Sequence, residues 1–258
     1  MPDPIADAQS ALDRTAHVPS TAREALGHTP WLRFVSERTL DRLAEQAMLH
    51  RVPSGSVLFE QSEIPSFAQL LIGGCVELIA ADGTNEQLIE TVNSIDLLLP
   101  AAVLTRQPYL ARARVVGEAH LVVIHANGFR DAVTSDHALC LAVLSCQAAQ
   151  FRRQVKLAKN LKLRSVETRV GCYLLNLLEG TDLHTPVRLP LEKQRIAWQL
   201  GMSRETFSRA LAAMTRYGLR IEGDTIEVID PEPLRAHVRL DPLIDSPEPI
   251  LPLPSTSD

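Results

Sequence analysis

Aromatic residues are scarce in this chain, at 4% of 258 residues. That is too few for the stacked rings on which single-stranded nucleic acid is usually held. Cysteine is as thin: Cys75, Cys140, Cys146 and Cys172 lie far apart and form no close-spaced metal motif. They are expected to be small core residues of a reduced, cytoplasmic protein, with no metal site. No apolar run approaches the roughly 20 residues that span a bilayer. The N-terminus carries no basic stretch followed by an apolar segment, so neither a secretory leader nor a membrane partner is expected. No Ser-His-Asp, Cys-His, metal or phosphate-loop arrangement stands at usable spacing, so no enzyme is expected. A basic excess is missing too: 26 Lys+Arg face 31 Asp+Glu, a net charge of -5. Spread evenly, that balance would argue against a nucleic-acid partner.

It is not spread evenly. Residues 1–29 carry -2 and the last nineteen carry -4, which leaves residues 30–239 at +1. Both ends, 1–29 and 239–258, read as disordered tails, the second with five prolines between 242 and 254. The remainder is apolar enough to fill real cores.

From Thr39 to Ala47 the spacing of Leu40, Leu43, Ala44 and Ala47 predicts a short amphipathic helix. Short apolar segments follow at Ser56–Phe59, Gln69–Ala80, Gln87–Val92, Ala111–Val116 and Leu121–His125. Turn formers separate them, among them Gly73-Gly74, Asp82-Gly83 and Ala126-Asn127-Gly128. Many short strands without intervening helices predict an antiparallel roll over residues 30–135.

At Asp136 the period changes. Leu141, Leu144, Ala148, Phe151, Val155 and Ala158 form a 3-4 seam without Gly or Pro, which predicts a helix over 136–164 capped by Asp136. The seam can pack on the roll or on a second copy of itself. A second apolar face (Leu139, Val143, Cys146) favours self-pairing, because one face then serves the roll and the other the partner.

Residues 165–238 read as a helix over Thr168–Leu178 ended by Gly180, a second helix over Leu191–Leu200, a turn at Gly201-Met202 and a third helix from Ser203 to Tyr217. A β-hairpin follows at Leu219–Ile221 and Thr225–Ile229. Gly201 suits a left-handed turn and Ser203 a helix cap, which together predict a winged helix-turn-helix. The exposed N-terminal part of the third helix carries Ser203, Arg204, Glu205, Thr206, Ser208 and Arg209. An Arg can bond guanine O6 and N7, and a carboxylate can accept from cytosine N4. The bland alternative is a solvated Glu205–Arg209 pair. Residues 188–220 carry +5, with Lys193 and Arg195 adding cations for phosphate contacts.

This order of α+β parts resembles the Crp/Fnr superfamily of bacterial transcription regulators over roughly residues 35–237. The most specific stretch is Gly201-Met202-Ser203-Arg204-Glu205-Thr206-Phe207-Ser208-Arg209, similar to the family's turn and recognition helix. Val52-Pro53-Ser54-Gly55-Ser56-Val57-Leu58-Phe59 resembles the start of its cyclic-nucleotide-binding roll. The resemblance implies a homodimer on a palindrome with TGA-like half-sites, and RNA polymerase as partner if the protein activates. Members that bind cyclic AMP carry Gly-Glu-Leu and then Arg-Ser. Here Asp96-Leu97-Leu98-Leu99-Pro100 stands instead, so cyclic AMP is not expected. The absence of any Cys before Cys75 excludes the iron–sulfur sensor of Fnr proteins. A weak effector pocket would involve Leu98, Leu99, Arg106 and Arg112. It could take haem through His50, His120 or His125, take a lipophilic effector, or be packed solid. A different class of reading is a sensor acting on a protein partner without DNA. Deleting residues 240–258 is expected to strengthen non-specific DNA affinity or leave it unchanged.

Overall fold

The computed structural model describes residues 19–93, 95–178 and 185–251. Among the described residues the chain divides into two compact units, one of residues 19–151 with 249–251 and the other of residues 152–248.

The first unit opens with α1 (Ala22–Gly27), whose cap Thr21 accepts the Glu24 N–H, and α2 (Glu37–Ala44), capped by Ser36. Ala22, Ala25 and Leu26 are buried. The expected disorder of residues 1–29 is therefore wrong from residue 19 on, because these apolar side chains find a core; residues 1–18 lie outside the described residues. Ala47 does not extend α2 but begins β1 (Ala47–Val52). β2 (Val57–Phe59), β3 (Phe67–Asp82), β4 (Asn85–Val92), β5 (Asp96–Leu97) and β6 (Arg112–His125) complete an antiparallel roll in the order β1-β6-β3-β4. β2 adds to β6 and β5 to β3. The two strands expected over 111–125 are one strand carried through Gly117. Besides α1, the unit holds two further helices that were not expected, α3 (Pro100–Thr105) and α4 (Ala126–Ser135), the second at turn formers.

The long helix α5 runs over His137–Leu163, and Leu139 N–H donates to Asp136 Oδ1 at 2.8 Å. In its first half Leu139, Ala142, Val143, Cys146 and Ala149 are buried in the core that α1, α2 and the roll build. This is the second apolar face named above. The seam residues Leu144, Ala148, Phe151, Val155 and Ala158 stay exposed, and Leu141 is half-buried.

The second unit continues from α5 into α6 (Val166–Leu178), β7 (Val187–Arg188), α7 (Lys193–Gln199), α8 (Arg204–Ala213), β8 (Leu219–Glu222), β9 (Thr225–Val228) and α9 (Glu232–His237). Gly180 lies outside the described residues. The stretch expected to be helical through Tyr217 ends α8 at Ala213 and tightens into a 3-10 turn over Met214–Tyr217. One core, including Leu174, Ile196, Phe207, Leu211 and Ile226, holds these elements together. The tail expected to be disordered from residue 239 instead forms α10 (Pro242–Asp245) and lies in ion pairs against α5 up to Glu248. Residues 252–258 lie outside the described residues. Cys140 is exposed, against the expectation that all four cysteines fill cores, because it leaves the buried stripe of α5 on which Cys146 sits.

Candidate nucleic-acid interface

The helix-turn-helix is built from local signals. Ile196 and Ala197 on α7 are fully buried against Phe207, Ala210 and Leu211 on α8. The turn closes where Gly201 N–H donates to the Trp198 carbonyl and Met202 N–H to the Ala197 carbonyl, both at 2.9 Å. Gly201 has φ +64°, and a Cβ there would stand 2.3 Å from Leu161 Cδ2 at the end of α5. Glycine is required by the backbone conformation, and a larger residue would also have to displace the exposed Leu161 side chain. Ser203 caps α8, with its Oγ accepting from the Thr206 N–H at 3.2 Å.

That cap sets the first turn of α8 outward. Ser203, Arg204, Glu205 and Arg209 are exposed, while Thr206 and Ser208 are half-buried. The Glu205 carboxyl is held below its ordinary value, first by its own backbone N–H at the positive helix end, then by the Ser203 hydroxyl and by Arg204 and Arg209. A charged acceptor between two guanidinium groups thus faces solvent at the N-terminus of an exposed helix, which is the chemistry of base-edge reading.

The surrounding charge is smaller than the sequence count. Arg216 pairs with Glu167 at 2.6 Å, Arg220 with Glu227 at 2.6 Å, and Lys193 stands 3.4 Å from Asp224. These acids lie outside residues 188–220, so a window count could not include them. Lys193 also donates to the Gly223 carbonyl at 2.7 Å and so ties α7 to the turn of the β8–β9 wing. Arg195 is half-buried on the same helix. One further cation had no sequence signal. Arg169 on α6 is buried, its Nε meets no acceptor among the described residues, and its Nη1 lies 3.4 Å from where a Gly201 Cβ would stand. Burial lowers its pKa.

The four residues named for an effector pocket are placed differently from one another. Leu98 is buried in the roll's interior with Leu71, Val76 and Leu121, beside the stacked rings of Phe59 and Tyr109 at 3.7 Å between centroids. Leu99 and Arg106 flank α3 in left-handed conformation, at φ 44° and 56°. Arg106 is exposed. Arg112 is engaged by Glu60 at 2.7 Å and Glu86 at 3.0 Å. The histidines named for haem do not converge. His50 stands opposite Leu121 and His120 opposite Arg51, so these neighbours leave opposite faces of the β1–β6 pair. His125 instead meets the Phe67 ring edge-on. This arrangement does not fit an axial haem pair. Among the described residues no group of three or more His, Cys, Asp or Glu is placed to hold a metal ion. None of the described helices is long and apolar enough to cross a membrane.

Comparison with known proteins agrees with this architecture. Residues 49–136 match the cyclic nucleotide-binding domain and residues 168–237 the Crp-like helix-turn-helix domain. A CRP-like cAMP-activated global transcriptional regulator of Mycobacterium tuberculosis is 25% identical over 223 residues, covering 84% of this chain and 99% of that protein. The solved structure of a regulatory protein from Silicibacter pomeroyi is 25% identical with a TM-score of 0.50, over 84% of this chain and 97% of that one. The fold is also that of FixK2 from Bradyrhizobium japonicum, at 16% identity and a TM-score of 0.58 over 76% of this chain and 98% of that one. With both domains in this order around a long helix, the chain belongs to the Crp/Fnr family of DNA-binding transcription regulators.

Proposed function

We propose that the protein is a cytoplasmic homodimer that reads a palindromic site with TGA-like half-sites through Arg204, Glu205, Ser208 and Arg209. Ser203 and Thr206 set the helix end, and Lys193 and Arg195 lie on the phosphate side. The observation that carries this reading is the exposed first turn of α8, with a carboxylate between two guanidinium groups on a capped helix. The acid favours base reading over backbone attraction, since phosphates repel it. An Arg204→Ala, Arg209→Ala double variant should bind a TGA-type palindrome at least tenfold more weakly than the parent in a gel shift, because each bidentate base contact contributes about 1–3 kcal/mol of discrimination. Unchanged specific binding would assign the reading to other residues.

Dimerisation is proposed through Leu141, Leu144, Ala148, Phe151, Val155 and Ala158. Support comes from a 3-4 seam left in water, with Phe151 69% and Leu144 52% exposed. Phe151→Asp should convert a dimer at micromolar concentration into a monomer by sedimentation. A parent already monomeric there would end the proposal. In such a dimer two α8 helices would enter successive major grooves about 34 Å apart, and RNA polymerase is the partner if the protein activates.

The effector is proposed to be other than cyclic AMP, or absent. The relative that is cAMP-activated belongs to the same family, yet here Leu98, Tyr109 and Phe59 crowd the roll's interior and Arg112 is engaged by two glutamates. Titration calorimetry with cyclic AMP should give no heat of binding at millimolar ligand.

A further inference from the structure

The buried face of α5 does not stop where the first unit stops. Leu139, Ala142, Cys146, Ala149, Arg153, Lys156 and Asn160 follow one another at intervals of three and four, so they form a single stripe along one side of the helix. Up to Ala149 the stripe is apolar and the roll's core covers it. From Arg153 on it is polar and basic, and Ile244 to Glu248 of the same chain lie along it, leaving a cleft of about 280 Å³ between the two.

This contact is built. Arg164 makes two hydrogen bonds to Asp245, at 2.6 and 2.7 Å, and the two side chains are only 8% and 10% exposed. Glu248, 11% exposed, accepts from Arg152 and stands 2.6 Å from Lys156 Nζ. Asp241 lies 3.8 Å from Lys159. The backbone takes part as well: Lys156 donates to the Ser246 carbonyl at 2.9 Å and Lys159 to the Leu243 carbonyl at 3.5 Å. The composition of the segment matches such partners. Three carboxylates and the Leu243 and Ser246 carbonyls offer acceptors, while lysine offers only donors, and Pro242 and Pro247 have no N–H to satisfy.

We propose that the basic stripe of α5 from Arg152 to Arg164 is a docking groove for an acidic, proline-rich segment, and that its occupant is this chain's own residues 241–248. Bound there, the segment is an autoinhibitory strap. Asp241, Asp245 and Glu248 hold four cations that would otherwise attract phosphates, so DNA affinity is confined to the recognition helix and its wing. The seam for a second copy borders this stripe, with Arg152 and Lys159 one turn from Ala148 and Val155, but Leu144, Ala148, Phe151, Val155 and Ala158 stay exposed while the strap is bound. The inhibition rests on the DNA-binding function; the docking does not.

The test uses the full chain, a chain ending at Arg239, and the neutralised variant Asp241→Asn, Asp245→Asn, Glu248→Gln. Hydrogen exchange of the full chain should protect residues 241–248 at 0.05 M salt and lose at least tenfold of that protection at 0.5 M, because screening weakens ion pairs. The neutralised variant should lack protection at both. Fast exchange at low salt, or protection indifferent to salt and to neutralisation, would overturn the docking. On a random-sequence duplex the shortened chain should bind several-fold more tightly at low salt, and the slope of log K against log salt should steepen by about 0.9 for each freed cation that meets a phosphate. Equal affinity and equal slope would overturn the inhibition. Binding of a TGA-type palindrome is measured alongside. Its failure with intact strap protection would count against the recognition residues and not against the strap.

Discussion

The two halves of α5 are covered on the same side by opposite chemistries. Residues 137–151 bury apolar side chains in a core, whereas residues 152–163 are covered by charges that meet other charges. Burial of apolar surface is nearly indifferent to salt, while ion pairs weaken as the screening length shortens. One helix therefore has a permanent half and a conditional half, and each can be broken separately.

The largest effect is expected in the permanent half. Leu139→Ala should destabilise the first unit by about 2–5 kcal/mol in urea unfolding, by the same amount at 0.05 and 0.5 M salt. A loss that varied with salt would remove the contrast. In the conditional half, Arg164→Ala takes the cation from Asp245 and leaves its carboxylate the Asp241 N–H. A fully buried pair would lose about 3–5 kcal/mol. Here about 1–2 kcal/mol is expected, because the strap can carry Asp245 into water, and the loss should shrink at high salt. The smallest effect is at the start of the helix. Thr39 and the Leu139 N–H hold the Asp136 carboxyl below its ordinary range. Its capping contribution is thus fully present above the unfolded pKa near 4 and is lost as pH falls through the depressed folded value. Asp136→Ala should cost about 1 kcal/mol at neutral pH, and the difference from the parent should narrow during acid unfolding.

The same contrast accounts for what the sequence disclosed. The helix-turn-helix was legible because its determinants are neighbours: Gly201 for the turn, Ser203 for the cap, and Phe207, Ala210, Leu211 and Met214 on one side. The α5 seam was legible because it repeats. β1 was missed because Ala47 continues the helical spacing of Leu40, Leu43 and Ala44, and His50-Arg51 cut the apolar run that follows. The Ala126-Asn127-Gly128 stretch read as a turn, but it starts α4, and Gly128 is where the Gln46 amide takes the place of a Cβ. The strap was hidden because Asp245 and Arg164 are 81 positions apart and prolines dominate the local signal. The local count of +5 overstated the free charge for the same reason, since Glu167, Asp224 and Glu227 stand outside it.

The contact between Leu161 and Gly201 has a mechanical consequence. A leucine methyl at the end of α5 sits where any other residue at 201 would have its β-carbon, so the turn of the reading head bears directly on the tip of the long helix. The turn touches that tip directly, although 40 peptide bonds separate Leu161 from Gly201 along the chain. Gly201→Ala would strain the backbone at φ +64° and displace the exposed Leu161 side chain, so weaker palindrome binding is expected in a gel shift although no DNA-reading side chain is changed.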